Sequence, residues 1–166
     1  MDGIINPFIR RQGIDSSLIG MTQQIEKRMM REYLDQNYAN WVHLVRQRLG
    51  ALVPPGQPGE IISFEEKYAK GFRRWADVVA HNLTEVVIIE FKVRADIEGV
   101  AQLEFYNSLF ETTEELKPLW KLPRRMEFVV GFPDPVVNRE AVNRNINFIV
   151  YQPEWLKEYW LKKTTT

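Results

Sequence analysis

Apolar residues recur along this chain at two spacings, one typical of strands and one typical of helices. Residues 86–93 are a nearly continuous apolar, β-branched run, which is typical of a strand buried on both faces. Residues 75–80 form a second apolar run, and the polar turn at 81–84 is short enough to join the two strands into a hairpin. Further strands are predicted at residues 60–68, 126–132 and 146–151.

The helical spacing is clearest in residues 22–49, and Gly50 is well placed to end that helix. A second helix is predicted after Asp96, a candidate N-cap, with Val100 and Phe110 on its apolar face. Shorter helices are predicted at residues 134–144 and 154–163, and loops at residues 54–59 and 117–125. The resulting order is helix, three strands, helix, strand, short helix, strand and helix, which predicts an α/β fold.

Residues 1–21 mix apolar side chains with proline and glycine, and they are predicted to form an N-terminal arm that packs on this domain or on a neighbouring subunit. Residues 22–166 are predicted to form a single domain. The chain has 166 residues, of which 45% are hydrophobic and 27% charged, as is usual for one soluble domain. Residues 154–163 carry an aromatic face that could cover the sheet or serve as a docking surface in a homo-oligomer or larger assembly.

The chain contains no cysteine, which excludes disulfides, thiolate chemistry and cysteine-ligated zinc. The N-terminal residues lack the basic and apolar segments of a secretory signal, and no apolar run approaches the length of a membrane span. We therefore expect a cytoplasmic protein without a membrane partner. Two histidines, His43 and His81, are too few to suggest a histidine-rich metal site.

The 22 basic and 22 acidic residues give a formal net charge of zero, so the chain has no overall basic field that would attract nucleic acid. Any contact with nucleic acid must therefore use local patches. Lys70, Arg73 and Arg74 cluster just before the strand at 75–80. These cations are the best candidates for gripping a phosphate backbone.

Charged residues interrupt the apolar strand at 86–93. Glu90 and Lys92 share one face of this strand because side chains alternate along it. The predicted hairpin can also bring Asp77 beside Glu90. Two adjacent carboxylates raise each other's pKa unless a cation lies between them, and hard oxygen ligands suit Mg²⁺ or Mn²⁺. The pattern therefore predicts a divalent metal site at Asp77 and Glu90.

The helix after Asp96 carries Gln102 and Tyr106 four residues apart, so both project from the same side. A glutamine and a phenol beside a metal site could hold a nucleic-acid backbone. Lys92 could orient a water or neutralise charge that develops on a phosphate. Together with a metal, these residues are the parts needed to hydrolyse a phosphodiester.

Each of these residues also has a purely structural interpretation. Glu90 and Lys92 could form a simple ion pair, Asp77 could be a turn residue, and Tyr106 could be a core aromatic with its hydroxyl at the rim. An E-x-K sequence at the end of an apolar strand is weak evidence by itself. The joint occurrence with Asp77 and the glutamine-tyrosine pair favours the functional interpretation.

The order Asp77, Glu90-Phe91-Lys92 and Gln102-Leu103-Glu104-Phe105-Tyr106 resembles the PD-(D/E)XK nuclease superfamily, and its RecB-type exonuclease branch in particular. The match covers about thirty residues, and Ala76 stands where the motif has proline. The resemblance implies a restriction-endonuclease-like α-β-β-β-α-β core with a mixed central sheet flanked by helices. Many members add an acidic residue from the first helix, for which Glu26 and Glu32 are candidates.

The resemblance further implies a magnesium-dependent deoxyribonuclease acting in recombination, repair, restriction or the DNA processing of phages and mobile elements. Asp77 and Glu90 would hold Mg²⁺ or Mn²⁺, Lys92 would assist the attacking water, and Gln102 and Tyr106 would orient the DNA strand. The alternative is a non-catalytic structural or DNA-binding subunit built on the same fold. A nucleic-acid-binding regulator is less favoured because the net charge is zero.

Overall fold

A computed structural model describes residues 16–51 and 74–164, with side chains described from residue 21 to 51 and from 74 to 163. The described elements are α1 (Ser16–Asn37), β1 (Val42–Leu49), β2 (Arg74–His81), β3 (Val86–Arg94), α2 (Ile97–Phe110), a 3-10 helix (Glu114–Leu119), β4 (Arg124–Phe132), α3 (Pro135–Asn143), β5 (Ile146–Val150) and α4 (Glu154–Thr164). No helix in these ranges is both long and apolar enough to cross a membrane.

The five described strands form one sheet in the order β1-β2-β3-β4-β5. The pairs β1–β2 and β2–β3 are antiparallel, whereas β3–β4 and β4–β5 are parallel. The sheet is therefore mixed, and the sequence from α1 to β4 has the α-β-β-β-α-β order. The predicted fold class, a restriction-endonuclease-like core with flanking helices, is confirmed.

The predicted helix over 22–49 is wrong in its second half. α1 ends at Asn37, and residues 42–49 form β1, which pairs with β2. The chain leaves the helix where the Tyr38 hydroxyl is fixed by a 2.7 Å hydrogen bond to Glu127, and the sheet pairing that follows overrides the apparent helical spacing. Gly50 does end an element, but that element is the strand, and its φ of 115° suits glycine.

Other boundaries differ less. α1 begins at Ser16, six residues before the predicted start of the helix at residue 22. The predicted loop at 117–125 contains the end of the 3-10 helix and the start of β4. The other predicted strands and helices lie within a few residues of the observed ones. The predicted strand at 60–68, the loop at 54–59 and the arm before Ser16 lie outside the described residues.

The sheet separates two helical layers. Val86 and Ile88 of β3 belong to the cluster that includes the apolar faces of α2 and α3, whereas Val87, Ile89 and Phe91 pack with α1. This is the alternation predicted for a strand buried on both faces. The two carboxylate-bearing strands therefore meet between the layers.

Close packing fixes α2 and α4. A Cβ atom at Gly99 would lie 2.3 Å from the Phe128 ring, so only glycine lets the start of α2 approach β4 this closely. The aromatic face of α4 packs inward: Trp160 stacks on Phe132 with ring centroids 4.7 Å apart, and Trp155 donates a 2.7 Å hydrogen bond to Glu32. Of the two roles expected for this face, the structure shows the one that covers the fold.

Candidate active site

The β2–β3 hairpin brings Asp77 to Glu90, as the sequence predicts. The Asn82 Oδ1 atom accepts hydrogen bonds from the backbone N–H groups of Thr84 and Glu85, at 2.7 and 2.9 Å, and so fixes the turn. The antiparallel ladder that follows runs to the pair Val78↔Ile89. Asp77 and Glu90 are the next residues of the two strands, at the point where the ladder ends.

Carboxylates bind the backbone N–H groups of β3 beyond this point. Asp77 Oδ2 accepts a 2.9 Å hydrogen bond from the Phe91 N–H, and Glu26 Oε1 of α1 accepts a 3.4 Å bond from the Val93 N–H. The two acids therefore occupy the positions where a neighbouring strand would supply carbonyl oxygens. This arrangement fixes both carboxylates against the rigid edge of β3.

Glu90 is buried, with 4% of the residue exposed. Its Oε1 atom lies 3.5 Å from the Lys92 ammonium, whereas its Oε2 atom is buried and has no hydrogen-bond partner among the described residues. A buried carboxylate oxygen without a partner is costly, and native proteins keep few of them. Such an oxygen is a feature expected where a ligand or an ion completes the site.

The electrostatics of the acids follow from burial and mutual repulsion. Burial, together with the nearby charge of Asp77, raises the pKa of Glu90 to about 8. Burial also raises the pKa of Asp77, although the Phe91 N–H and Lys92 oppose the shift. The pKa of Glu26 is raised by burial against the opposing effect of Lys92. The three carboxylates therefore repel one another, and a cation between them would reduce this repulsion.

Lys92 and Tyr106 stay protonated at neutral pH. Burial acts to lower the pKa of Lys92, but the surrounding carboxylates, Glu90 first among them, outweigh burial and raise it. The pKa of Tyr106 is raised by burial and by the charges of Glu90 and Asp77. Lys92 is therefore an ammonium and Tyr106 a neutral phenol, and both are hydrogen-bond donors.

The helix α2 brings Tyr106 to this site and carries Gln102 one turn before it. Asp96 is its N-cap, as predicted, because the carboxylate accepts a 2.8 Å hydrogen bond from the Gly99 N–H. Tyr106 is buried within electrostatic reach of Glu90. Gln102 lies one turn earlier, where its Nε2 atom donates to Glu98 at 3.5 Å while its Oε1 atom is buried without a partner among the described residues.

Of the predicted phosphate-gripping cations, only Arg74 lies within the described residues. It is exposed at the start of β2, and its charge reaches Tyr106. Arg74 therefore lies within electrostatic reach of Tyr106, one of the glutamine-tyrosine pair. Lys70 and Arg73 lie outside the described residues, and their assignment stays a prediction.

Glu26, rather than Glu32, lies at the site. Glu32 is bonded to the Arg28 Nε at 2.9 Å and to the Trp155 Nε1 at 2.7 Å, away from Asp77. Both acids lie on α1 at helical spacing, so the sequence could not choose between them. The choice depends on the distance between α1 and the end of β3.

Sequence reasoning missed Arg46. It lies opposite Asp77, between the ladder pairs Val45↔Val78 and Gln47↔Ala76, and its charge opposes the rise in the pKa of Asp77. The position of Arg46 beside Asp77 could not be predicted because this segment was predicted to be helical. In a helix, Arg46 would have belonged to a solvated mixed-charge face.

Among the described residues, no three histidine, aspartate or glutamate side chains are close enough together to form a ready-made metal cage. The acids present are thus a carboxylate pair, Asp77 and Glu90, with Glu26 beside them. Magnesium commonly binds through one or two carboxylates and keeps several waters and phosphate oxygens. The donor set suits that kind of ion better than one that needs a complete protein cage.

No protein-family model and no curated protein sequence matches the chain. Similar solved structures include a repair endonuclease from Pyrococcus abyssi, with a TM-score of 0.46 and 16% identity over 76% of this chain and 47% of that one. EndoMS in its apo form has a TM-score of 0.45 and 19% identity over 77% of this chain and 46% of that one. EndoMS in complex with dsDNA has a TM-score of 0.45 and 16% identity over 77% of this chain and 45% of that one. The chain spans just under half the length of these structures. At these levels of similarity, it is assigned to no family.

Proposed function

We propose that this protein is a metal-dependent nuclease that hydrolyses DNA phosphodiester bonds. The observation that carries the proposal is the buried Oε2 atom of Glu90, which has no hydrogen-bond partner among the described residues. Glu90 itself is next to Asp77 where the hairpin ladder ends. A purely structural ion pair would be expected to satisfy the whole carboxylate, because an incompletely bonded buried charge destabilises the fold. Glu90 Oε1 and the Lys92 ammonium are instead 3.5 Å apart, and the second Glu90 oxygen has no hydrogen-bond partner within residues 16–51 and 74–164.

The acids fit a divalent cation of the magnesium type. Asp77 and Glu90 would hold it, and Glu26 is the described acid best placed to complete the site through a water. When bound, such an ion supplies positive charge to a phosphate and lowers the pKa of a water so that it can attack phosphorus. We propose that the bound ion is Mg²⁺ or Mn²⁺.

Lys92 acts as a donor and a positive charge. As an ammonium it has three donors and no acceptor, so it cannot remove a proton from the attacking water. It can orient that water by donating to it, or neutralise negative charge that develops on the phosphate. With 23% of its side chain exposed, the ammonium can reach a substrate from its place beside Glu90.

The residues of α2 would hold the DNA strand. The neutral Tyr106 phenol can donate to a phosphate oxygen. The Gln102 Oε1 atom, which has no partner in the described part of the chain, can accept a hydrogen bond from the substrate or its bound water. Arg74 would add a positive charge within electrostatic reach of Tyr106. The resemblance to RecB-type nucleases suggests a setting in recombination, repair or the DNA processing of phages and mobile elements, inside the cytoplasm.

The test is cleavage of supercoiled circular, linear duplex and single-stranded DNA with Mg²⁺, with Mn²⁺ and with a chelator. We expect cleavage only with metal, and a loss of at least about a hundredfold in Asp77→Asn and Glu90→Gln. Glu111→Gln is the control, since this exposed acid is paired with Arg124 and its loss should leave cleavage unchanged. A wild-type protein that is inactive with both metals, or cleavage that survives both substitutions, would contradict the proposal.

A second candidate, a non-catalytic binding or structural subunit, is favoured by the lack of a three-ligand cage among residues 16–51 and 74–164. It predicts DNA binding or self-association without cleavage. Scattering and binding measurements in a chelator would reveal that behaviour. Cleavage by the wild-type protein excludes it.

A further inference from the structure

A cleft of about 670 Å³ opens beside the site, between α1 and the edge formed by β1 and β2. Asp77 and Glu26 line it, so the cleft is continuous with the candidate active site. Its walls also carry Lys27 and Arg31 of α1 and Arg46 of β1. The same lining holds three carboxylates as well as these three cations, which stand on both walls. A substrate strand that places a phosphate at Asp77 can therefore continue along the cations.

Trp75 lies at the β2 side of this cleft and is 54% exposed, which is unusual for an indole. The Arg46 and Arg48 guanidinium groups lie 5.7 and 5.6 Å from the centre of its ring. Two cations around an exposed indole disfavour a dry apolar interface with another protein, because both charges would have to be desolvated. The same arrangement suits a polyanion that carries flat bases.

Arg46 adopts a φ of 53°, in the left-handed region that residues other than glycine, asparagine and aspartate seldom occupy. Its neighbours on either side, Val45 and Gln47, are in register with β2. The conformation is therefore confined to the one residue that faces Asp77. Strained backbone of this kind is concentrated at binding and catalytic sites.

We propose that this cleft binds an unpaired stretch of nucleic acid next to the phosphate to be cut, with one base stacked on Trp75 and a backbone phosphate on Arg46. The inference rests on the proposed nuclease function and specifies its substrate. Trp75 and Asp77 are two residues apart on β2, roughly 7 Å along the strand. In a duplex, the bases are stacked on one another and cannot lie flat on the indole.

The first test measures binding of a fluorescently labelled oligothymidylate and of a blunt duplex of the same length, by anisotropy in EDTA. Loss of one base stack should weaken single-strand binding about 5- to 150-fold in Trp75→Ala, whereas Trp75→Phe should retain most of the affinity. Duplex binding should change little. Trp120→Phe is the control, since Trp120 follows the 3-10 helix and does not line the cleft.

The second test uses Arg46→Gly, which removes the guanidinium but accepts the observed φ. The melting temperature should stay the same or rise, while single-strand affinity falls and the slope of log affinity against log salt decreases by about one. A merely structural role for Arg46 would lower the melting temperature and leave the salt slope unchanged. That result would overturn the assignment of Arg46.

Unchanged single-strand binding in Trp75→Ala, or an equal loss for single strand and duplex, would overturn the stacking site. If Trp75→Ala does not fold, Trp75→Leu serves in its place with the same expected outcomes. Because these measurements use a chelator, they are independent of cleavage. Failure here with metal-dependent cleavage intact refutes the cleft alone, whereas a wild-type protein that cuts no DNA with either metal, or cleavage that survives Asp77→Asn and Glu90→Gln, refutes the nuclease.

Discussion

Two buried glutamates on neighbouring strands have opposite surroundings. Glu90 of β3 and Glu127 of β4 are each 4% exposed. Glu127 faces α1, where it accepts hydrogen bonds from the Tyr33 and Tyr38 hydroxyls at 3.0 and 2.7 Å and pairs with Arg125. Glu90 faces α2, with one ammonium 3.5 Å away and an oxygen that has no described partner.

The difference separates a structural acid from one that we propose to be functional. Burial by itself says little, because both glutamates are equally buried. What distinguishes them is the completeness of their hydrogen bonding: Glu127 ties α1 to the sheet, whereas Glu90 is left with capacity for a ligand. Evolution commonly retains such incomplete sites at a cost in stability when they serve function.

The largest expected effect on stability is at Glu127. Glu127→Gln removes the charge facing Arg125 and disrupts a network with two buried tyrosines, so the free energy of unfolding should fall by about 3–5 kcal/mol. Glu90→Gln replaces a carboxyl group whose ionisation is disfavoured in the folded protein, so the free energy of unfolding should stay the same or rise at pH 7. Urea denaturation of both variants in EDTA measures the contrast. Equal losses in the two variants would show that the glutamates play the same role.

A pH titration should sharpen the contrast. The pKa of Glu90 is raised from 4.5 to about 8, so the folded protein keeps this proton where the unfolded chain has lost it. This contribution to stability is complete below about pH 4.5 and is lost as the pH rises towards 8. The difference in unfolding free energy between Glu90→Gln and wild type should grow by roughly 2–4 kcal/mol between pH 5 and pH 8 without metal. A constant difference would mean that Glu90 titrates normally.

The sequence predicted the placement of three candidate site residues better than it predicted the first strand. Asp77, Glu90 and Lys92 could be placed together because strand alternation and a short turn are local rules, and the structure follows both. β1 was missed because its apolar positions also fit a helix. Its pairing with β2 depends on residues some thirty positions away.

The cleft could not be predicted for the same reason. Arg46 and Trp75 become neighbours only once β1 pairs with β2, and the choice of Glu26 over Glu32 depends on how α1 crosses the end of β3. The hydrogen-bond network around Glu127 could not be predicted either, because Tyr33 and Tyr38 lie far from that acid in the sequence. The prediction of the site was limited by contacts between residues far apart in sequence, and not by the chemistry of the individual residues.

Divalent metal should stabilise the site around Glu90 and leave the region of Glu127 unaffected. At a metal concentration about a hundredfold above the dissociation constant, linkage adds about 2.7 kcal/mol to the free energy of unfolding. Mn²⁺ in the millimolar range should therefore raise the melting temperature of the wild type if binding is in the tens of micromolar. Asp77→Asn and Glu90→Gln should abolish the rise, while Tyr33→Phe should melt lower but keep it. A rise that persists in both site variants would place the metal elsewhere.

The smallest effect on stability is expected for Lys92→Met, which separates the two roles of that lysine. Without metal, the substitution removes the cation nearest to Glu90, and stability should fall by about 1–2 kcal/mol. With Mn²⁺ bound, the metal compensates the acids, methionine fills the space of the lysine stem, and the loss should nearly disappear. Cleavage should nevertheless be lost, because no ammonium remains to orient water or to neutralise charge on the phosphate. Lys117→Met, which changes an exposed lysine beside Glu114, should alter neither property. A Lys92→Met protein that melts several degrees lower with Mn²⁺ and still cuts DNA at the wild-type rate would make Lys92 a structural partner of Glu90, as Arg125 is of Glu127.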